Sequence, residues 1–243
     1  MRLLIIRHGD PDYEHNSLTE KGKREAKLLA ESLKRQNEKI DYFYVSSYGR
    51  AKDTAAPTLE TFGATAEVCD YLHEFDYPTF NADGSQRPVA WDLMPADWTT
   101  DDRFYSMAKW YDTPVMKSGN LGEKAADVCR QFDACLASHG YVREGRYYKT
   151  EQGNDQTLAF FCHLGVECVI LSHLLGISPV LLWQGTTALT TSVTTLYTEE
   201  RQKGIAYFRM SCFGDTAHLR YAGEPNSFSG RFCEVYENSH ERH

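Results

Sequence analysis

The chain opens on Leu3-Leu4-Ile5-Ile6-Arg7-His8-Gly9. Four apolar residues in succession fit a short strand covered on both faces. The run then stops on a cation, an imidazole and a glycine. Open α/β sheets bind their ligands at the carboxyl ends of such strands.

The same grammar continues outward from this stretch. Residues 21–36 carry Ala26, Leu29, Ala30 and Leu33 on one helical stripe, with Thr19 placed to cap it. Residues 42–45 read as a second strand and 49–62 as a second helix, which Pro57 should kink or shorten. A short strand follows at 66–69. Further on, 158–162 reads as another buried strand and 166–175 as a helix that stops at Gly176. Residues 192–198 and 205–212 are rich in β-branched and aromatic side chains, as in two strands at the edge of the same sheet. Strands alternating with helices predict an α/β fold: a three-layer sandwich with a mostly parallel central sheet flanked by helices.

The middle breaks the pattern. Periodicity fades from residue 76 to residue 121, a stretch holding Trp91, Trp98, Trp110 and Pro78, Pro88, Pro95 and Pro114. So many aromatic residues exclude a flexible linker. The stretch reads as an ordered cap inserted into a single domain spanning residues 1–243. Helical spacing returns at 123–138. Residues 141–156, polar and tyrosine-rich, form a smaller insertion that is either a β-hairpin or a loop.

Lys and Arg total 26 against 34 Asp and Glu, a net charge of −8, which argues against a bulk nucleic-acid or membrane-surface binder. A small anionic substrate is compatible, because the field in a pocket need not follow net charge. The apolar run at 3–6 is too short for a signal peptide, and no run approaches the ~20 residues of a membrane span. Seven cysteines among apolar neighbours read as reduced, buried thiols of a cytoplasmic protein. Cys162, His163, Cys168 and His173, or Cys69 and His73, match no closed zinc spacing, so no metal site is expected. The glycines form no dinucleotide or Walker pattern. A homodimer through the aromatic-rich segment or the late edge strand is left open.

Three clusters follow strand ends: Arg7-His8-Gly9, Ser46-Ser47-Tyr48-Gly49-Arg50-Ala51, and His163. Arginine forks match phosphoryl oxygens, and a neutral imidazole is a nucleophile toward phosphorus. Arg7-His8-Gly9 resembles the signature of the histidine phosphatase (phosphoglycerate mutase-like) superfamily. Leu18-Thr19-Glu20-Lys21-Gly22, the segment from Ser46-Ser47 to Arg50-Ala51, Thr54-Ala55 and His163 agree in order. The resemblance covers roughly residues 1–75 and 122–212, and 76–121 is where this family inserts its substrate-specific cap.

The resemblance implies a metal-independent, cofactor-free phosphatase acting on a small phosphomonoester. His8 would become phosphohistidine, its other ring nitrogen held by a backbone carbonyl. Arg7 and Arg50 would grip the phosphoryl oxygens, and His163, protonated against the anion, would complete the pocket. Glu74, shortly after the third strand, fits the general acid, with Asp76 and Asp10 in reserve. Asn16 and Ser17 are candidate phosphate contacts, and His218 would reach the pocket rim. Leu164 stands where the family often has glycine, so its side chain would narrow the pocket or tilt the turn. Mutases of the family resemble one another in a Trp-Asn pair and a Phe-Thr-Gly segment after the signature. Residues 10–17 lack both, which favours phosphatase over cofactor-dependent mutase. A non-catalytic phospho-ligand binder on the same fold is the remaining alternative.

Overall fold

The computed structural model describes residues 1–81 and 83–240. The strands of its main sheet in chain order are Arg2–Arg7 (β1), Tyr42–Ser46 (β2), Glu67–Cys69 (β3), Val142–Glu144 (β4), Tyr147–Lys149 (β5), Thr157–Cys162 (β6), Val193–Gln202 (β7) and Ile205–Asp215 (β8). They form one sheet in the order β3-β2-β6-β1-β7-β8-β5-β4. From β3 to β1 every neighbour is parallel, and from β1 outward every neighbour is antiparallel.

β1 shows why the sheet is buried on both faces. Leu3 and Ile5 enter one apolar core, while Leu4 and Ile6 enter another, as the two-residue period of a strand requires. The core under Leu4 and Ile6 is closed by Leu29 and Leu33 of α1 (Glu20–Arg35) and by Ala51 and Ala55 of α2 (Gly49–Phe62). The opposite core is closed by α3 (Leu121–Ser138), α4 (Leu164–Leu175) and α5 (Pro179–Gly185), through Val128, Phe132, Val166, Ile170 and Val180. A last short helix, α6 (Ala217–Ala222), lies against α1. The result is the expected three layers.

The caps follow local chemistry. The Thr19 hydroxyl accepts the Gly22 N–H at 3.1 Å and starts α1. Gly176, with φ of 70°, ends α4 in the left-handed conformation that glycine adopts without strain. Pro57, by contrast, does not shorten α2, which runs on to Phe62. The carbonyl left without its N–H partner belongs to Asp53, an exposed residue, so no buried hydrogen bond is lost.

Two placements differ from the sequence reading. The hairpin β7–β8 is not at the edge: β7 pairs with β1, and β8 pairs onward with β5. Residues 141–156 resolve into the hairpin β4–β5, and this forms the outer edge. Pairing preference depends on partners far away in sequence, so strand composition alone does not order the sheet. The cysteines also differ. All seven are free, but Cys212 and Cys233 are exposed rather than buried.

Residues 76–121 hold a two-stranded ribbon, Thr79–Phe80 with Gln86–Arg87, and short helical turns at Pro95–Trp98, Asp102–Tyr105, Trp110–Asp112 and Pro114–Ser118. Ala90, Leu93, Phe104, Trp110 and Met116 are buried in the same core as α3 and α4. Among the described residues, no helix is long and apolar enough to cross a membrane. No group of three or more His, Cys, Asp or Glu among them is arranged to hold a metal ion.

Candidate active site

Parallel register brings the strand-end clusters together. Arg7 pairs with Cys162, and Phe161 with Val45, so β1, β6 and β2 end side by side. His8 follows the first, His163 the second, and Ser46 closes the third. The two imidazoles lie 5.1 Å apart between ring centroids. α2 begins three residues after Ser46 and lifts Arg50 into the same region from its first turn.

His8 is 1% exposed. Its Nδ1 lies 2.7 Å from the Gly9 carbonyl. Burial, then Arg7, then Arg50 hold its pKa well below the ordinary 6.5, against the opposing pull of that carbonyl. The ring is therefore neutral. A carbonyl only accepts, so Nδ1 carries the proton and Nε2 the lone pair. His8 is fixed through its backbone too: its N–H donates to Cys162 O and its carbonyl accepts from Thr191 N.

Both arginines are buried and oriented by the chain. Arg7 Nη1 donates to Ala188 O at 2.6 Å and Ser229 O at 3.0 Å. Arg50 Nη1 donates to Asn16 Oδ1 at 3.1 Å, and its guanidinium lies 4.9 Å from the Tyr48 ring centroid. His163 is fully buried, with Nε2 at 2.9 Å from the Ser46 hydroxyl. Three buried nitrogens, Arg7 Nε, Arg50 Nε and His163 Nδ1, have no hydrogen-bond partner. Buried polar groups are rarely left this way in a native structure.

His163 was expected to be protonated against a bound anion; without that anion its surroundings favour the neutral ring. Burial is the largest cause lowering its pKa well below 6.5, and His8, Arg50, Arg7 and His73 add to it. With cations nearby, the neutral ring is the stable form.

Glu74 comes into the same neighbourhood from the loop after β3. Its Oε1 accepts the Phe75 N–H at 2.8 Å and, at the start of α4, the Val166 N–H at 3.2 Å. Burial raises its pKa above the ordinary 4.5 against the pull of those N–H groups, Arg7 and Arg50. Beside it, Gly165 explains the turn after His163. A Cβ at Gly165 would run into the Trp91 ring and come within 2.7 Å of Glu74 Oε1. The close approach that needs glycine is thus at 165. Leu164 does not narrow the site: its side chain is buried in the apolar core of the α3–α4 face.

The other expected residues divide. Asn16 orients Arg50, as above. The Ser17 hydroxyl donates instead to Asp53 at 2.6 Å. His218 is not at a rim: it is buried, with Nε2 at 2.9 Å from the Thr191 hydroxyl, behind the residue whose N–H meets the His8 carbonyl. Burial pushes its pKa down to about 4. Asp10 is committed to structure, accepting from the Thr19 and Ser227 hydroxyls. Asp76 is exposed.

Sequence reasoning missed His73, whose ring stacks on Tyr48 at 5.8 Å, and Ser229, which reaches Arg7 across 222 positions. Spacing carries no signal for contacts that distant. The motif Thr54-Ala55 does have a visible purpose, since Thr54 Oγ1 accepts the Gly9 N–H at 2.9 Å.

Solved structures share this fold. A phosphoserine phosphatase mutant from Entamoeba histolytica, in complex with phosphoserine, is similar with a TM-score of 0.54 and 17% identity, over 90% of this chain and 98% of that one. A mycobacterial glucosyl-3-phosphoglycerate phosphatase bound to VO3 is similar with a TM-score of 0.57 and 19% identity, over 88% and 99%. No curated protein matches the chain. A family model does, over residues 3–210, a span that takes in β1 with its Arg7-His8-Gly9 turn, Arg50, Glu74 and the β6 end with His163. By that match, the chain belongs to the histidine phosphatase superfamily (branch 1).

Proposed function

We propose that this protein is a metal-independent phosphatase that hydrolyses a small phosphomonoester through a phosphohistidine on His8. One observation carries the reading. The neutral His8, with Nδ1 pinned by the Gly9 carbonyl, lies 5.1 Å from the His163 ring and beside Arg7 and Arg50, and Arg7 Nε, Arg50 Nε and His163 Nδ1 are buried without partners. Such donors match the oxygens of a phosphoryl group. The two arginines supply fixed positive charge for the transferring group, the part a metal ion plays in other phosphoryl-transfer sites.

The His8 Nε2 lone pair attacks phosphorus, and the bond to the leaving oxygen breaks. Glu74, whose pKa burial raises, gives its proton to that oxygen. The Glu74 carboxylate then takes a proton from water as the water oxygen attacks phosphorus. The phosphorus–nitrogen bond breaks, its electrons return to Nε2, and inorganic phosphate leaves. An anion bound beside His163 favours its protonated form, so the neutral ring gains a proton on binding rather than holding one beforehand. The family membership supports the reading, as do the phosphoserine and glucosyl-3-phosphoglycerate phosphatases of the same fold.

The test is hydrolysis of a panel of phosphomonoesters in EDTA by wild type and His8→Ala. The expected result is EDTA-resistant phosphate release that falls at least ~10³-fold in the variant while its circular dichroism is unchanged. Full activity in His8→Ala overturns the mechanism. Absence of turnover by a folded wild type that still binds phosphate would instead indicate a phospho-ligand binder.

A further inference from the structure

We infer that residues 227–230, far from the signature in sequence, are a positioning element of the phosphoryl site. They hold Arg7 so that its Nε–Nη2 edge faces the phosphoryl group, an assignment that rests on the phosphatase reading above. A guanidinium can meet an oxyanion through its Nη1–Nη2 end or through its Nε–Nη2 side. Here the end-on choice is closed. Both hydrogens of Nη1 are engaged, one by Ala188 O at 2.6 Å and one by Ser229 O at 3.0 Å. Nε is buried and has no partner, and Nη2 has a long contact of 3.4 Å to the Ser229 hydroxyl. The side-on edge is what the arginine has left to offer.

The segment is latched beside the residue it serves. Ser227, 5% exposed, donates its hydroxyl hydrogen to Asp10, and the same oxygen accepts the Ser229 N–H at 3.1 Å. Asp10 follows Arg7-His8-Gly9 directly and is held on its other oxygen by Thr19 at 2.6 Å. The path from Arg7 through Asp10 and Ser227 to Ser229 and back to Arg7 is therefore a closed ring. The chain then passes against the guanidinium at Gly230. Its φ is 81°, and a Cβ there would lie 2.9 to 3.3 Å from the Arg7 guanidinium atoms. The Tyr13 hydroxyl touches the Ser229 hydroxyl at 3.5 Å, and the Tyr13 ring centroid is 5.5 Å from the Arg50 guanidinium. The segment thus meets the surroundings of both arginines.

The test compares full-length wild type, Ser227→Ala, Ser227→Thr and Gly230→Ala. Inorganic phosphate is the probe, read as its inhibition constant alongside KM and kcat for p-nitrophenyl phosphate. Unlatching the ring in Ser227→Ala should raise both the phosphate inhibition constant and KM by ~3- to 10-fold. Ser227→Thr, which keeps the hydroxyl, should restore both values. Gly230→Ala should move them in the same direction by pressing a methyl group on the guanidinium. A variant that merely folds poorly would lose maximal rate at constant KM, so the split separates positioning from structural damage. Unchanged constants in both Ser227→Ala and Gly230→Ala overturn the inference. Tighter phosphate binding overturns it too, because the segment would then oppose the ligand. If Ser227→Ala does not fold, Gly230→Ala decides alone. A wild type that neither binds phosphate nor turns over removes the phosphatase reading and this one together, whereas an active wild type with unmoved variants removes only this one.

Discussion

Glu74 and His8 are pushed in opposite directions by the same burial, because one is charged when deprotonated and the other when protonated. In the proposed mechanism the neutral imidazole is the nucleophile, and its lowered pKa keeps it neutral below pH 6.5. Activity on the acid side should fail only as pH drops through that lowered value. In the same mechanism the protonated Glu74 carboxyl is the acid, and its raised pKa extends that form above the usual carboxylate range. On the alkaline side, esters with poor leaving groups should lose rate as pH rises through it. In Glu74→Gln the alkaline fall should disappear, and turnover of such esters should drop ~10²- to 10⁴-fold. p-Nitrophenyl phosphate, whose leaving group needs little protonation, should lose far less. Equal losses on both substrates would remove Glu74 from the acid role. Arg7 ends its strand and His8, Arg50 and His163 follow strand ends, so their meeting at one sheet edge was legible in sequence, whereas Glu74 came only through the family resemblance. Ser17 and His218 were not legible. The partner of a hydroxyl and the depth of an imidazole depend on what packs against them, here Asp53 and Thr191.

α4 shows how much one turn can decide at the level of an element. Its first turn places Val166 N–H on Glu74 and leaves Gly165 under Trp91. Gly165→Ala should force the indole and the carboxyl apart. The expected cost is ~1–3 kcal/mol of stability from overpacking, together with a loss of turnover on poor leaving groups. Denaturant unfolding and kcat on one preparation check both. A variant with wild-type stability and activity would show that Trp91 moves away freely. Helix periods and caps were readable because they are local: Thr19 and Gly176 work within a turn of themselves. The order of the sheet was not, since β7 lies beside β1 with Leu196 opposite Leu3 in the shared core, a partnership across most of the chain that strand propensity does not encode.

Taken whole, the molecule buries more acid than its mechanism uses. Glu167 on α4 is fully buried, accepts the Thr194 hydroxyl at 2.5 Å, and has its pKa pushed up to about 8, chiefly by burial. Below the unfolded value of 4.5 both states hold the proton. Between there and about 8 the unfolded chain releases it first, so stability falls as pH rises, by roughly 1 kcal/mol per pH unit. Thermal unfolding at pH 5 and pH 8 should show a steeper decline for wild type than for Glu167→Gln. Parallel declines would mean that Glu167 does not titrate there. No pattern in the sequence marks Glu167 or residues 227–230, because both matter only through neighbours that the fold brings from elsewhere. The order of synthesis gives that dependence a further meaning. β1 and its signature leave the ribosome well before the strands on either side of it, β6 and β7, which begin at residues 157 and 193. The carbonyl of Ser229, which helps hold Arg7, comes later still. A nascent chain that stops short of residue 157 therefore carries His8 without the strands that seat it or the contact that holds Arg7. Arg7 and His8 are seated together only after residue 229 has emerged.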